Sequence, residues 1–435
     1  MFKKLIQKIE RNELVVCIVG LGYVGLPLAI EFSKTLKVIG FDIDKEKINN
    51  YKNRYRDKKL QFTTNPKDIR KADFVIISVP TPVTKQKIPD LSYVKSATEI
   101  VAKNMKKGTI IVLESTVYPG VTEEIVRPIL EKCSGMKCGK EFKIGYSPER
   151  INPGDKKHTL RTITKVISGI DKETIDIMEK VYKKVVNKTF RAKSIKVAEA
   201  AKVIENIQRD INIALMNELA MLFEKMNINI GDVIEAASTK WNFHRYYPGL
   251  VGGHCVPVDP YYLVFKAKEL DFHPQIILSG RAVNDYMPKF ISEMIIKQLI
   301  KSGKIVNKSK VLIMGLTYKE NVDDMREAPS KVIIKELKEY GIKVFGFDPL
   351  LKNKKEVKTL GITLFTDISQ IKEKFDCILV ISPHDEFLEI KKNEFKKILH
   401  KKCFIIDIKG KLKRTFQNEQ FYKEFNKSTK YTMIP

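Results

Sequence analysis

Apolar runs and helical repeats alternate along the first part of this 435-residue chain. The patterns of buried strands are LVVCIVG (14–20), KVIGFD (37–42), FVIISVP (74–80) and TIIVLES (109–115). Helical patterns such as LPLAIEFSKTL and KEKINNYKN stand between them, and a strand KVISG and a helix to about residue 185 follow. This alternation predicts a doubly wound α/β domain with a parallel sheet over residues 1–193.

A different pattern follows from residue 194. The segment 194–226 contains no proline or glycine and repeats apolar residues at helical spacing. It is longer than the usual helix of 8–20 residues, and such helices commonly join domains or mediate dimerisation. With more helical sequence around 276–302, residues 194–303 are predicted to form a central helical dimerisation domain.

The strand and helix alternation restarts near residue 310. Strand patterns KVLIMGLTY, KVFGFDP, FDCILVISP and CFIIDIKG accompany a helical SKVIIKELKEYG. A second, smaller α/β domain is therefore predicted over residues 304–435. In such domains, ligands bind at the carboxyl ends of the strands and at domain junctions.

The formal net charge of +27 changes the picture only slightly. Such a surplus favours polyanionic partners, nucleic acid among them. The lysines are spread along the chain, often beside glutamates, without a recognition motif. We therefore expect a solvated lysine-rich surface and no nucleic-acid partner. A basic scaffold that binds DNA or RNA stays an alternative, and it predicts steeply salt-dependent binding.

The N-terminal segment MFKKLIQKIERNEL has apolar residues at helical spacing. It lacks the apolar core and the cleavage site of a signal peptide, so we expect a short helix that packs on the first domain rather than a targeting or membrane-surface helix. No apolar run approaches the roughly 18 residues needed to span a bilayer. A cytoplasmic protein without membrane contact is expected.

The cysteines do not form a disulfide framework. Cys17, Cys377 and Cys403 lie in apolar strand patterns and are expected to be buried. Cys133 and Cys138 are separated by four residues rather than the two usual in a zinc knuckle, so no metal site is predicted.

The remaining cysteine, Cys255, lies in the glycine- and proline-rich stretch GLVGGHCVPVDPYY (249–262), four residues before Asp259. His254 is a poor co-ligand because adjacent residues rarely reach one ion. The stretch alone leaves Cys255 open as a buried thiol, a metal ligand or a nucleophile.

A glycine fingerprint, GLGYVG (20–25), follows the first strand and opens a helix. This pattern is typical of a turn that binds the pyrophosphate of a dinucleotide at a helix N-terminus, as in Rossmann-like domains. Asp42 ends the second strand, where a carboxylate binds a ribose diol and repels a 2′-phosphate, which favours NAD over NADP. VPTP and EST end neighbouring strands. The predicted cofactor-contacting residues are Gly20, Gly22, Tyr23, Val24, Gly25, Asp42, Lys47, Thr81 and Thr116.

Two further groups of residues are candidates for chemistry. Lys202 and Asn206 are spaced i, i+4 on the long helix, with Arg209 one turn further, and can donate hydrogen bonds to a developing oxyanion. An ordinary exposed helix face would show the same residues. In GLTYKENVDDMREAPS (315–330), Lys319 and Arg326 are candidates to bind the phosphates of a second nucleotide.

Several of these motifs occur together in the order found in one family. GLGYVG, VPTP, EST, AKVIEN, VGGHCVPVDP and GLTYKENVDDMRE resemble the motifs of the UDP-glucose/GDP-mannose dehydrogenase family over nearly the whole chain. The resemblance implies two Rossmann-like doubly wound domains joined by a central helical region with a long helix. It also implies a C-terminal domain that binds UDP, a homodimer or higher homo-oligomer, and the four-electron oxidation of a sugar C6 alcohol to a uronic acid with NAD.

The resemblance also implies roles for individual residues. Cys255 is the nucleophile that adds to the aldehyde, gives a thiohemiacetal that can be oxidised again, and yields a thioester that water cleaves. Lys202 and Asn206 stabilise alkoxides, Asp259 positions a water or aids proton transfer, and Glu149 activates the hydrolytic water with the support of Thr116. The implied substrate-contacting residues are Glu149, Arg150, Lys202, Asn206, Arg209, Arg245, Gly253, Tyr318, Lys319 and Arg326.

The chain departs from the UDP-glucose branch of that family. It has Pro153 where that branch carries a second acidic residue, and it reads GGHC rather than GGSC. SPERINPG, ENIQRDINIALMNELA and TKWNF are more similar to dehydrogenases of UDP-N-acetylhexosamines, with N-acetylglucosamine or N-acetylgalactosamine expected. UDP-N-acetylmannosamine and UDP-glucose stay open, as does a two-electron dehydrogenase that would release one NADH per substrate.

Overall fold

The computed structural model describes residues 2–151, 158–351, 355–390, 392–412 and 430–433. Pro153 lies outside the described residues. The elements to residue 225 are α1 (Lys3–Glu10), β1 (Val15–Val19), α2 (Gly25–Ser33), β2 (Lys37–Phe41), α3 (Lys45–Arg54), β3 (Leu60–Thr63), β4 (Phe74–Ile77), α4 (Ser92–Asn104), β5 (Ile110–Leu113), α5 (Arg127–Ser134), β6 (Lys143–Tyr146), β7 (Thr164–Gly169), α6 (Lys172–Tyr182), β8 (Lys188–Arg191) and α7 (Ile195–Lys225). The later elements are α8 (Ile230–Ala237), α9 (Asp259–Glu269), α10 (Gln275–Lys301), β9 (Lys310–Met314), α11 (Ser330–Glu339), β10 (Lys343–Phe347), α12 (Lys355–Thr359), β11 (Thr363–Phe365), β12 (Phe375–Val380), α13 (Lys392–Lys397), β13 (Leu399–Asp407) and β14 (Lys430–Met433).

The chain divides into two compact units. The first comprises Met1–Asn206 and Val258–His273, and the second comprises Ile207–Pro257 and Pro274–Pro435. Helix α9 therefore belongs to the first unit although it follows part of the second in the sequence. The predicted boundaries of three domains stay a prediction.

The first unit is built on an eight-stranded sheet. Its order is β3-β2-β1-β4-β5-β6-β7-β8, and β6 and β7 form its antiparallel pair. The central strands are buried on both faces, which is why they read as continuous apolar runs in the sequence. Phe2, Leu5 and Ile9 bury the N-terminal helix α1 in the core of this unit, which confirms that α1 packs on the first domain.

The second unit carries a six-stranded sheet in the order β11-β10-β9-β12-β13-β14, with parallel pairing throughout. Both sheets use one local design at the end of their first strand. Leu21 N–H donates to Asp42 at 2.9 Å in the first unit, and Leu316 N–H donates to Asp348 at 2.8 Å in the second. This equivalence confirms the prediction of two doubly wound α/β folds.

The long helix is also confirmed, since α7 extends over 31 residues. In the second unit, the C-terminal part of α7 and helix α10 share buried polar contacts. Arg281 Nη1 donates to Asp210 at 2.6 Å, and Asn217 Nδ2 donates to Asn284 Oδ1 at 2.7 Å. None of the helices in the described part of the chain is both long and apolar enough to cross a membrane.

Candidate active site

The turn between β1 and α2 uses each fingerprint glycine for a different physical reason. Gly20 has a φ of +92°, which other residues rarely adopt. A Cβ on Gly25 would lie 1.9 Å from Gly20 O, so α2 packs against the turn only because Gly25 has no side chain. A Cβ on Gly22 would meet nothing within 4 Å. Gly22 therefore leaves an open face of the turn beside the N-terminus of α2, as a pyrophosphate requires.

Asp42 is fixed beside this turn. Its Oδ2 accepts hydrogen bonds from Leu21 N at 2.9 Å and from Lys47 Nζ at 3.0 Å, and its Oδ1 accepts from Asp44 N at 3.0 Å. The carboxylate thus lies at the end of β2, next to the glycine turn, where a ribose diol of NAD would bind. The geometry fits the predicted cofactor, with Lys47 as a neighbour of Asp42.

The predicted threonines lie along the same edge of the sheet. Ser78 Oγ donates to Gly20 O at 2.9 Å, and Ser115 Oγ donates to Val79 O at 2.7 Å. These bonds join the ends of β1, β4 and β5, which are adjacent strands. Thr81 and Thr116, both partly exposed, follow the ends of β4 and β5.

Lys202, Asn206 and Asp259 form one buried cluster in the first unit. Asn206 Nδ2 donates to Asp259 Oδ2 at 2.5 Å, and Lys202 Nζ lies 3.6 Å from the same oxygen. All three residues are less than 10% exposed. The face of α7 that bears Lys202 and Asn206 is therefore buried in the protein, and α9 supplies the carboxylate of Asp259. A cation and an amide donor held by one carboxylate can stabilise an alkoxide.

Two contacts that the sequence did not reveal hold this cluster in place. The hydroxyl group of Tyr262 on α9 donates a hydrogen bond to Thr81 O. Glu199 on α7 accepts from Gly120 N at 2.6 Å and from Thr122 N at 2.9 Å. Burial raises the pKa of Glu199 to about 7. Both helices of the cluster are thus anchored to loops that follow β4 and β5.

Cys255 lies in the second unit and is exposed, whereas Cys17, Cys377 and Cys403 are buried as predicted. Burial raises the pKa of Cys17 and Cys377 above its ordinary value, which makes those thiols poor nucleophiles. Accessibility therefore singles out Cys255 from the core cysteines. Among the described residues, no group of three or more histidine, cysteine, aspartate or glutamate residues could hold a metal ion.

Within the second unit, His254, which precedes Cys255, contacts the segment 315–330 that is predicted to bind a second nucleotide. His254 Nε2 lies 2.8 Å from Arg326 Nη2, and Arg326 also donates to Asp324 Oδ2 at 2.8 Å. Burial and then the charge of Arg326 lower the pKa of His254. The imidazole is therefore neutral at pH 7 and accepts from Arg326 through Nε2.

The GGHC loop packs tightly on this segment. A Cβ on Gly253 would lie 2.7 Å from the ring of Tyr318, and Gly253 has a φ of +84°. A Cβ on Gly252 would lie 2.7 Å from Pro329. The structure thus brings Gly253, Tyr318 and Arg326 together, and Lys319 directly follows Tyr318.

Glu149 lies in a second buried cluster of the first unit. Its Oε1 accepts from Arg150 N at 2.7 Å and Ile151 N at 2.6 Å, and its Oε2 lies 3.6 Å from Lys165 Nζ. Lys165 also lies 3.1 Å from Glu114 Oε1. Sequence reasoning missed both partners, although Glu114 is the glutamate of EST and Lys165 is the first residue of the predicted strand KVISG.

The remaining predicted residues lie outside these clusters. Arg150 is an exposed side chain that pairs with Glu205 at 2.8 Å and donates to Thr164 O at 2.8 Å. Arg209, Arg245 and Tyr23 are also exposed. Their predicted contacts with substrate or cofactor stay predictions.

Three family models together match most of the chain. The NAD-binding, central and UDP-binding domains of the UDP-glucose/GDP-mannose dehydrogenase family match residues 14–186, 196–286 and 312–414. Protein CapL of Staphylococcus aureus is 50% identical over 91% of this chain and 95% of its own. UDP-N-acetyl-D-glucosamine 6-dehydrogenase of Salmonella typhi is 44% identical over 92% of this chain and 96% of its own. The solved UDP-D-ManNAc dehydrogenase of Pyrococcus horikoshii aligns with a TM-score of 0.81 at 30% identity, over 91% of this chain and 95% of that one.

Proposed function

Because the chain belongs to the UDP-glucose/GDP-mannose dehydrogenase family and is an NAD-dependent UDP-sugar dehydrogenase, we propose that it oxidises the C6 hydroxyl of a UDP-N-acetylhexosamine to the carboxylate. The expected sugar is N-acetylglucosamine or N-acetylgalactosamine. The observation that carries this proposal is the identity, over nearly the whole chain, to the UDP-N-acetyl-D-glucosamine 6-dehydrogenase of Salmonella typhi. The product would be an activated aminouronic acid for surface polysaccharide or a glycan.

The first oxidation needs a group that stabilises the C6 alkoxide. Lys202 and Asn206 are suited to this role because Asp259 holds both donors in a buried site, where electrostatic interactions are stronger than in water. NAD bound at the glycine turn would accept a hydride from C6 in each of the two oxidations. Asp259 would hold the ammonium group and the amide in place through both oxidations.

A nucleophile must add to the aldehyde before the second oxidation, because the aldehyde carbon bears no hydroxyl group and cannot lose hydride as it stands. Cys255 would add to the aldehyde through Sγ to give a thiohemiacetal, whose oxidation leaves a thioester. Its exposure is consistent with attack on a bound substrate. Glu149 would then take a proton from the water that cleaves the thioester.

The manno epimer is the second candidate. The structural match to the UDP-D-ManNAc dehydrogenase of Pyrococcus horikoshii supports it. We also propose a homodimer or higher homo-oligomer. The half-exposed apolar side chains of Leu215 and Leu222 on α7 support this proposal.

The test is a count of NADH per sugar with limiting UDP-sugar and excess NAD, for the wild type and for Cys255→Ala. We expect two NADH per UDP-N-acetylglucosamine or UDP-N-acetylgalactosamine in the wild type and severe impairment in the variant. Cys133→Ala, at a partly buried cysteine elsewhere in the chain, is the matched control and should retain activity. One NADH per sugar would eliminate the thioester role. Faster turnover of the manno sugar or UDP-glucose would overturn the substrate assignment.

A further inference from the structure

Two fully buried charged residues lie next to Glu149. Lys165 on β7 and Glu114 at the end of β5 have fully buried side chains, and 3.1 Å separates Lys165 Nζ from Glu114 Oε1. Lys165 Nζ also donates to Pro148 O at 3.1 Å and lies 3.6 Å from Glu149 Oε2. The ammonium group of Lys165 thus lies close to two carboxyl groups, those of Glu114 and Glu149.

The two carboxyl groups differ in the hydrogen bonds that they accept. Glu149 accepts two backbone N–H bonds through Oε1, and such bonds favour the ionised form. Glu114 Oε1 accepts from Tyr182 Oη at 2.5 Å. The Oε2 atoms of Glu114 and Glu149 both lack a hydrogen-bond partner among the described residues. Burial raises the pKa of Glu114, Lys165 opposes this effect, and the charge of Glu149 adds to it. Burial thus favours the neutral form of Glu114, although the hydrogen bond from Tyr182 opposes it, whereas Glu149 accepts two backbone N–H bonds and lies beside the ammonium group of Lys165.

The groups that face Glu149 in the described chain come from several elements. They are Lys165 of β7, Glu114 after β5 and, through Glu114, Tyr182 of α6. Burial raises the pKa of Tyr182 well above its ordinary value, so its phenol remains neutral and does not compete for the proton.

A comparison within the same unit argues against a purely structural ion pair. Lys143 on β6 is also buried and pairs with Asp171 and Glu173, but both of those carboxylates are about 40% exposed. An ion pair with no exposed member costs desolvation that apolar residues would avoid. Lys165 differs from Lys143 in that both of its carboxyl partners, Glu114 and the candidate base Glu149, are buried.

We propose that Lys165 and Glu114 are positioning residues that keep Glu149 ionised and oriented for hydrolysis of the thioester. This inference rests on the proposed function. In that step the water oxygen bonds to the thioester carbonyl carbon, and the C–S bond breaks with its electron pair left on Cys255 Sγ. The proton of the water passes to Glu149, so the anionic form of Glu149 must be present before attack.

The first test is Lys165→Met, followed by rapid mixing with NAD and UDP-N-acetylglucosamine. We expect two NADH per active site in a burst, then steady-state turnover slower by about tenfold or more, within the roughly 10²–10⁴-fold that a general base supplies. The acidic limb of the turnover–pH profile should move to higher pH, because the variant removes a positive charge 3.6 Å from the Glu149 carboxylate. Lys143→Met is the matched control, and it should show neither change.

Two further variants keep the inference refutable if Lys165→Met folds poorly. Lys165→Arg restores the charge and should recover part of the hydrolysis rate and the original acidic limb. Glu114→Gln removes the carboxyl group but keeps an oxygen that can hold Lys165, so it should retain more of the hydrolysis rate than Lys165→Met does. A hydrolysis rate in Glu114→Gln below that of Lys165→Met would overturn this role of Glu114.

The failure of this inference differs from the failure of the proposed function. If wild type releases one NADH per sugar, the thioester mechanism itself is wrong. If wild type releases two and Lys165→Met matches Lys143→Met in burst and pH profile, the role of Lys165 is refuted while the function stands.

Discussion

Alanine at Gly25 should distort the glycine turn, whereas alanine at Gly22 should obstruct only the cofactor. At Gly25 the new Cβ would lie 1.9 Å from Gly20 O and 2.5 Å from Ser78 Oγ. Contacts below 3.0 Å are essentially never observed, so α2 must move by about 1.1 Å from a backbone atom that cannot rotate away. Overpacking costs typically 1–3 kcal/mol, and we expect the upper end, about 3 kcal/mol.

At Gly22 the same methyl group meets no protein atom within 4 Å. Stability should therefore change by less than about 0.5 kcal/mol. The methyl group would occupy the open face of the turn, and we expect NAD affinity to fall by about tenfold or more, equal to about 1.4 kcal/mol.

Thermal unfolding and calorimetric titration with NAD separate the two effects. Gly25→Ala should lower the melting temperature by roughly 6–12 °C, since 1 kcal/mol corresponds to about 2–4 °C in a unit of this size. It should also weaken NAD binding. Gly22→Ala should weaken binding with an unchanged melting temperature. Wild-type NAD affinity in Gly22→Ala would refute the position of the pyrophosphate, and an unchanged melting temperature in Gly25→Ala would refute the packing argument.

Two further predictions concern the helices of the buried cluster. The pKa of Glu199, about 7 when folded against an ordinary 4.5, means that the native state holds a proton more tightly than the unfolded chain. Its contribution to the free energy of unfolding is therefore complete below pH 4.5 and should fall by about 3 kcal/mol as the pH rises through 7. Urea titrations from pH 4.5 to 8 should show this loss of stability. Glu199→Gln should remove this dependence of stability on pH. Asp259→Asn should lower kcat by about 100-fold or more with little change in far-UV circular dichroism, because it removes the carboxylate that holds Lys202 and Asn206. The control Asp232→Asn, at an exposed aspartate, should match wild type. Equal kcat values for Asp259→Asn and wild type would contradict the role of the cluster.

Strands buried on both faces could be predicted from the sequence because they read as unbroken apolar runs. β1, β4 and β5 belong to this class, and β9 and β12 do so after Lys310 and Asp376, which lie near their starts. The strands that the pattern did not reveal were short or interrupted by polar residues. β6 contains Lys143 and Gly145, and β8 begins with Lys188. β6 is buried between neighbouring strands despite these residues, whereas β8 is an edge strand and mostly exposed, so neither has the apolar run of a central strand.

The candidate site was predictable where a local pattern implies its own geometry. The fingerprint glycines define a turn, and the i, i+4 spacing of Lys202 and Asn206 defines one helix face. The sequence could not show that this face is buried, because that depends on Asp259, which is distant in the chain. Glu114 and Lys165 were missed for the same reason, since neither has a sequence neighbour that indicates the pairing.

The first unit is formed by two segments that are separated in the sequence, and this separation sets the order in which its parts are synthesised. Its sheet and the part of α7 that bears Lys202 and Asn206 leave the ribosome first, followed by residues 207–257 of the other unit, and only then α9. The bond from Asn206 to Asp259 closes a separation of 53 residues, which carries a substantial entropy of loop closure. A nascent chain can therefore fold its nucleotide-binding scaffold while the lysine and the amide still lack their carboxylate. The buried cluster of Lys202, Asn206 and Asp259 would then form late, after the scaffold that supports it.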